Sequence, residues 1–176
     1  MGGLNDQVFG YGSLVFDGSG VMATLPGHRR VWGVATDNIH SIPGYKMYLL
    51  RSDGSRPEVY VAFADIEPDP AGSIRGSVRP VSEQELAQLD LRERNYDRID
   101  VTDLIDGEFD GCVWAYRGSP EGRERLRRGR AEGRAVVSRD YMEKVQAALM
   151  TLGEDEHERF LAESDLPVWS LERVDL

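Results

Sequence analysis

Gly10-Tyr11-Gly12-Ser13-Leu14 follows a short apolar segment, Val8-Phe9, that reads as the end of a strand. Two glycines flank a tyrosine, and a serine comes next. Glycine has no side chain to screen the backbone and admits φ > 0, so such a loop leaves several N–H groups uncovered. A concave set of free N–H groups holds a carboxylate or a developing oxyanion. The same residues also suit a tight turn between two core segments. The choice depends on what the rest of the chain brings to the loop.

The second decisive stretch runs from Ser82 to Val101 and changes from helix to strand along its length. Ser82 followed three residues later by Glu85 is a capping-box signature. Leu86, Leu89 and Glu93 share one helix face, which sets a carboxylate on the apolar stripe of the last turn. A carboxylate there costs free energy unless it is paired or protonated, and burial moves a carboxyl group toward the range useful for a general base. The competing reading is a surface glutamate paired with Arg92, Arg94 or Arg98.

Together these stretches resemble the γ-glutamylcyclotransferase-like family. Tyr11-Gly12-Ser13-Leu14 matches the family's Tyr-Gly-Ser-(Asn/Leu) loop, and Val8-Phe9-Gly10 its preceding strand. Leu89-Asp90-Leu91-Arg92-Glu93-Arg94-Asn95-Tyr96-Asp97-Arg98-Ile99-Asp100-Val101 matches the Leu-Asp-x-x-Glu motif that continues into Tyr-x-Arg. Leu25 to Trp32 looks like the strand after the loop, and Val137-Ser138-Arg139-Asp140-Tyr141 like the later Ser-x-x-Tyr helix start. The matches fall in the family's order. Leu14 stands where the animal γ-glutamylamine and γ-glutamyl amino acid enzymes have Asn. Leu is what the glutathione-specific branch and many bacterial members carry. Leu91-Arg92-Glu93 also resembles that branch's Tyr-Arg-Glu. Ala147-Ala148-Leu149-Met150 departs from the family's usual Gly-Ala, and an Arg-rich insertion before the late helix is unfamiliar.

The resemblance implies an enzyme that releases 5-oxoproline and a free amine or amino acid from an L-γ-glutamyl compound. Glu93 would be the catalytic acid–base. Gly10, Tyr11, Gly12, Ser13, Leu14 and Tyr141 would bind the substrate, with no cofactor and no metal. The hydroxyl of Tyr141 would reach the pocket; from the pattern alone Tyr141 is equally an aromatic core residue. Arg98 suits a pairing with Glu93 or Asp90 rather than a substrate contact, and Arg30 suits support of the loop or a carboxylate. The rival is a non-catalytic protein on the same fold that binds a small anion or a partner protein. A third possibility is removal of a γ-glutamyl group from a bulky amine.

Composition sets the frame. With 176 residues, 40% hydrophobic and 30% charged, the chain reads as one globular domain spanning 1–176. The net charge of −10 argues against a nucleic-acid partner. No apolar run approaches the roughly 18 residues that cross a bilayer, so no membrane partner is expected. Met1 to Gln7 lacks the features of a secretory leader. The single cysteine, Cys112, excludes an internal disulfide and fits a cytoplasmic setting. Cys112 lies in a strand-like run, with the pattern of a small core residue rather than a nucleophile. His28, His40 and His157 lack zinc-site spacing, and Tyr11-Gly12-Ser13-Leu14-Val15 is not a Gly-x-Ser-x-Gly elbow.

The remaining pattern is mostly strands, with helices late. Strands are expected over 29–37, 45–50, 58–66, 73–81, 96–102 and 112–117, with Pro68 to Gly72 as a loop tip. Gly76 reads as a bulge or a close approach. Helices are expected from Ser82, from Ser138 to a stop at Gly153, and over 154–163. The tail from Pro167 to Leu171 is apolar enough to pack back on the domain. Arg123, Arg125, Arg127, Arg128, Arg130 and Arg134 form a locally basic stretch, read as a solvated, salt-bridged connection or as a lid that attracts an anionic substrate. The sum is an α+β fold of about six or seven strands with two or three helices. The resemblance sharpens this to a small mixed barrel-like sheet; oligomeric state is left open.

Overall fold

The computed structural model describes residues 5–15, 20–40 and 44–176. Along the chain lie β1 (Asp6–Gly10), β2 (Val21–Asp37), β3 (Lys46–Leu50), β4 (Tyr60–Val81), α1 (Glu83–Arg92), β5 (Tyr96–Asp100), β6 (Val113–Gly118), α2 (Pro120–Ala131), β7 (Ala135–Ser138), α3 (Arg139–Leu152), α4 (Glu154–Glu163), β8 (Val168–Trp169) and β9 (Leu171–Asp175). Seven strands form one mixed sheet in the order β5-β6-β1-β4-β7-β8, with β2 on the other edge of β4. β3 and β9 make a separate antiparallel pair. The expected α+β fold with a mixed sheet is present, with four helices among the described residues rather than two or three.

β4 organises the sheet. It continues through Pro68 to Gly72, so the two expected strands and their loop tip are one strand of 22 residues. The prolines survive because the ladder to β2 is broken there: Pro68 pairs with His28, and pairing resumes at Ser73 with Pro26. A proline without a ladder donor is tolerated at such an irregularity. A second register shift falls between Trp32 and Val34. Gly33 sits in it because a Cβ would lie 2.4 Å from the Cβ of Asp65.

β1 is central and buried on both faces. Val8 packs with Leu86 and Leu89 of α1, and Phe9 with Leu25, Ile66 and Val113 on the opposite side. The capping box forms as expected: Glu85 N–H donates to Ser82 Oγ at 3.1 Å, and Ser82 N–H to Glu85 Oε2 at 2.8 Å. α3 buries Met142, Val145, Leu149 and Leu152 against Trp32, Tyr60 and Phe160. Gly153 ends α3 at φ 136°. The C-terminal tail does pack back: β8 pairs with β7, β9 pairs with β3, and Leu171 is fully buried.

The Arg-rich stretch is salt-bridged, as one reading expected, but Arg123 to Arg130 lie on a packed helix rather than in a connection, with Arg134 beyond its end. The helix is α2, opened by Ser119 as N-cap and Pro120 in the first turn. Gly122, Leu126 and Gly129 form its buried stripe. A Cβ on Gly129 would lie 2.8 Å from the Cβ of Tyr60, so the glycines let the helix lie close on the sheet. Arg123 reaches the fully buried Asp65, whose Oδ1 accepts the N–H groups of Ile66 and Gly118, each at 2.7 Å. Its Nη2 lies 3.0 Å from Asp65 Oδ2, an ionic contact without hydrogen-bond alignment, and donates to the Ile66 carbonyl. Arg125 donates to the Ala35 carbonyl and to Asn95 Oδ1. Arg127 and Arg128 meet Glu124, and Arg130 meets Asp165.

Candidate active site

The site begins as a gap on one edge of β4. β1 runs antiparallel to the end of β4, with Gly10 opposite Ser77, and β7 runs parallel to its start, with Val136 beside Val61. Both lie on the edge away from β2. Their carboxyl ends, Gly10 and Ser138, therefore point toward one another, and among the described residues no strand covers the interval between. In open α/β sheets ligands bind in the crevice outside the carboxyl ends of strands. Ala64 lies in the interval, and side chains complete its backbone bonding. Its N–H donates to the Tyr141 hydroxyl at 3.2 Å, and its carbonyl accepts from the Tyr96 hydroxyl at 2.6 Å.

The loop after β1 turns into this gap. The Tyr11 hydroxyl donates to the Tyr116 carbonyl, and the Tyr11 carbonyl accepts from Arg30 Nε at 2.6 Å. Val15 N–H donates to the Gly12 carbonyl at 3.0 Å, closing the turn. Among the described residues the N–H groups of Gly12, Ser13 and Leu14 have no acceptor. The reason for glycine differs from the expected one, since neither Gly10 nor Gly12 has positive φ. Gly10 is required by proximity: a Cβ would lie 2.1 Å from the Leu14 carbonyl oxygen. At Gly12 a Cβ would make only ordinary contact, 3.5 Å from the Cβ of Ala64. Gly76 is the expected close approach, since a Cβ there would meet the Gly10 carbonyl and the Phe9 ring at 2.4 Å each.

Glu93 is the C-cap of α1, one residue beyond the last turn, and its N–H donates to the Leu89 carbonyl at 2.8 Å. Both sequence readings are partly met. Oε1 is 3.0 Å from Arg92 Nη2, yet the side chain is only 16% exposed and lines the gap. Residues Gly10 to Leu14, Glu93, Tyr96 and Tyr141 line an inner chamber of about 20 Å³. Ser13, Glu93, Tyr96 and Tyr141 also line an outer cleft of about 530 Å³, so they stand where the two spaces join. Thus the predicted residues come together, with Leu14 packed toward the α1 side.

Burial pushes the hydroxyls of Tyr11, Tyr96 and Tyr141 above the usual phenol range, and the Glu93 carboxylate adds to the rise at each. They are neutral hydrogen-bonding groups at neutral pH. Tyr141 is both things the sequence allowed. Its ring meets Phe63 edge-on at 4.9 Å, and its hydroxyl reaches the site beside Ser13. Arg98 sits against Asp90 and over the Trp114 ring, a supporting position. Arg30 supports the loop.

Two residues of the site were not singled out from sequence. Tyr96 was within reach, because it follows Glu93 by three residues where the helix gives way to β5. Lys46 was not, since it enters the cleft from β3 through a pairing with β9 at the far end of the chain. Its Nζ lies 4.1 Å from the Phe63 ring centre and 5.3 Å from that of Tyr45. Burial lowers its pKa to about 8.

Among the described residues no helix is long and apolar enough to cross a membrane. Comparison with solved structures finds similar folds. A gamma-glutamyl cyclotransferase matches at 14% identity over 91% of this chain and 88% of its own, with a TM-score of 0.51. YkqA from Bacillus subtilis matches at 14% identity over 93% of this chain and 56% of its own, with a TM-score of 0.59. An uncharacterised protein from Homo sapiens matches at 14% identity over 93% and 90%, with a TM-score of 0.56. At that identity the likeness is one of fold. No curated protein matches the chain. The model of the family described as gamma-glutamyl cyclotransferase, AIG2-like, matches residues 8–143, which take in the loop, Glu93 and Tyr141, and the chain belongs to that family.

Proposed function

We propose that the protein is a γ-glutamylcyclotransferase that converts an L-γ-glutamyl compound into 5-oxoproline and a free amine or amino acid. One observation carries this reading: a carboxylate, Glu93, and a loop whose Gly12, Ser13 and Leu14 N–H groups have no acceptor among the described residues line the same small chamber. The reaction is an intramolecular aminolysis, so the protein's first task is to fold the substrate so that its two ends meet. Glu93 takes a proton from the α-ammonium group. The freed amine attacks the γ-carbonyl carbon and forms a tetrahedral oxyanion. Glu93 then returns the proton to the departing nitrogen as the bond to carbon breaks and takes up the second proton that the ring nitrogen must lose to become the lactam N–H, so one carboxyl group serves as base and as acid. The N–H groups of Gly12, Ser13 and Leu14 hold an anion, each worth roughly 3 kcal/mol if that anion is the transition-state oxyanion. The hydroxyl of Tyr141 orients the substrate at the mouth of the chamber.

The test is direct. Purified protein is incubated with glutathione, γ-glutamyl dipeptides and γ-glutamyl-lysine, and 5-oxoproline is measured by mass spectrometry. Glu93→Gln keeps the shape of the side chain but cannot accept the proton. It should lower kcat by about 10²- to 10⁴-fold with the thermal transition unchanged. Equal turnover by wild type and variant would remove Glu93 from the mechanism. No turnover of any substrate, with binding of glutamate or 5-oxoproline detected by thermal shift, would favour a binding protein.

A further inference from the structure

We propose that Lys46 selects the leaving group, its ammonium binding a carboxylate on the amine that departs, so that the preferred substrates are γ-glutamyl amino acids or peptides rather than γ-glutamyl derivatives of simple amines. The inference rests on the reading of the site as a cyclotransferase and specifies its outer half.

The position of Lys46 follows from the β3–β9 ladder. Lys46 and Tyr48 are two apart on β3, so they share a face, and that face lines the cleft. Asp175 lies opposite Lys46 and Arg173 opposite Tyr48. The carboxylate of Asp175 turns to Arg173, at 2.8 Å, and not to the lysine. Of the other acids of the outer wall, Asp140 is engaged by Arg51 at 2.6 Å and Glu93 by Arg92 at 3.0 Å. Lys46 itself makes no ion pair or hydrogen bond among the described residues; the rings of Phe63 and Tyr45 hold it. A partly buried ammonium with apolar stacking and no counter-ion is a receptor for an anion. Lys144, also on the cleft wall and without an ion pair among the described residues, adds to the same positive field.

The order of the two spaces points to which anion. The loop whose N–H groups suit the glutamyl end lines the inner chamber, with Ser13 at its mouth, while Lys46 lines only the outer cleft. A substrate with its γ-carbonyl beside Glu93 must extend its departing amine outward. The first group carried by an α-amino acid at that point is its carboxylate.

Two substrates that differ only in that group make the test: γ-glutamylglycine and γ-glutamyl methylamide. Wild type should show the lower KM for γ-glutamylglycine. Lys46→Met, which keeps the stem over Phe63 and removes the charge, should shift the ratio of the two KM values at least about tenfold against γ-glutamylglycine, the loss expected for a charged hydrogen bond. Lys46→Arg should retain most of the preference. Each ratio is internal to one preparation, so partial unfolding of a variant does not move it. An unchanged ratio in Lys46→Met, or a wild-type preference for the methylamide, overturns the inference while leaving the cyclotransferase reading intact. Glutarylglycine and N-methylglutaramate lack the α-amino group and cannot cyclise, so their binding by calorimetry separates recognition from turnover. Tighter binding of glutarylglycine that Lys46→Met abolishes supports the role of Lys46 even where no 5-oxoproline forms. No difference between the two ligands overturns it.

Discussion

Arg30 Nε donates to the carbonyl oxygen of Tyr11 at 2.6 Å, so a residue of β2 fixes the backbone of the loop that carries the N–H groups of Gly12, Ser13 and Leu14. The guanidinium is nearly all buried and closes on Glu156 of α4, with a further bond to the Arg75 carbonyl. Glu156 is held in turn by Arg159 at 2.7 Å and by the N–H of Arg75 at 3.2 Å. The shape of the loop therefore depends on a helix that touches no part of the chamber. Removing one partner of a buried pair strands the other charge, at a cost of about 3–5 kcal/mol. Arg30→Met should fall at the lower end of that range, because Arg159 still partners Glu156. Urea unfolding measures the loss, and kcat should fall with it as the N–H groups lose their alignment. In the double variant Arg30→Met/Glu156→Leu no charge is stranded, so its stability should exceed that of the sum of the single losses.

The two loop glycines should respond differently to alanine. At Gly10 the new Cβ would collide with the Leu14 carbonyl at 2.1 Å, and backbone on both sides of the turn would have to move. Overpacking of this kind costs about 1–3 kcal/mol, and turnover should be lost with the loop geometry. At Gly12 the Cβ meets only Ala64 at 3.5 Å, and φ is not positive. Gly12→Ala should leave the protein as stable or up to about 1 kcal/mol more stable, because alanine narrows the unfolded ensemble. Thermal unfolding of both variants decides; equal losses at the two positions would show that backbone conformation, not proximity, demands glycine.

Tyr96 and Tyr141 should show that the gap in the sheet is completed by side chains. Tyr141→Phe removes the acceptor of the Ala64 N–H, and Tyr96→Phe removes the donor to its carbonyl. Each leaves a buried backbone group without its partner, at a cost of about 1–3 kcal/mol. Hydrogen exchange of the Ala64 amide should quicken in Tyr141→Phe and change little in Tyr96→Phe. The reverse order would contradict the assigned donors.

The legible parts of this protein share one property: their signals are local. The capping box at Ser82 and Glu85, the apolar stripe of α3 and the loop after β1 each lie within a few consecutive residues. So do Glu93 and Tyr141 relative to the turns that place them. α2 carried a local signal too, Ser119-Pro120, but its outer face is almost all charged, and only Gly122, Leu126 and Gly129 are buried. Glycines in a buried stripe read as breaks until the close approach to Tyr60 is known. β4 was divided by prolines that suit an edge, since nothing local shows that β2 loses register beside them. Lys46 is the extreme case. Its pattern in Tyr45-Lys46-Met47-Tyr48 is that of an ordinary strand, and only the pairing of β3 with β9, Lys46 opposite Asp175, turns it into the cleft.

Lys46 also makes the site sensitive to pH in a direction that can be worked out. Its pKa is lowered to about 8, with burial the largest cause; the positive charges of Arg173 and Arg92 act in the same sense, while Glu93 and Asp175 oppose them. The rings of Tyr45 and Phe63 complete its surroundings. Below about pH 8 the ammonium is charged and able to hold an anion, and above it the neutral amine loses that ability. KM for γ-glutamylglycine should therefore rise as pH passes through about 8, while KM for γ-glutamyl methylamide shows no matching step. Stability carries the opposite sign. A lysine whose folded pKa lies below its unfolded value near 10.4 binds fewer protons folded than unfolded between the two, so stability rises with pH across that window. Lys46→Met removes this contribution. The stability of the variant relative to wild type should thus be greatest and constant below about pH 8, and should decline as pH climbs toward 10. Urea unfolding at a series of pH values measures the difference, and a gap that widens with rising pH would mean that the folded protein favours the charged lysine.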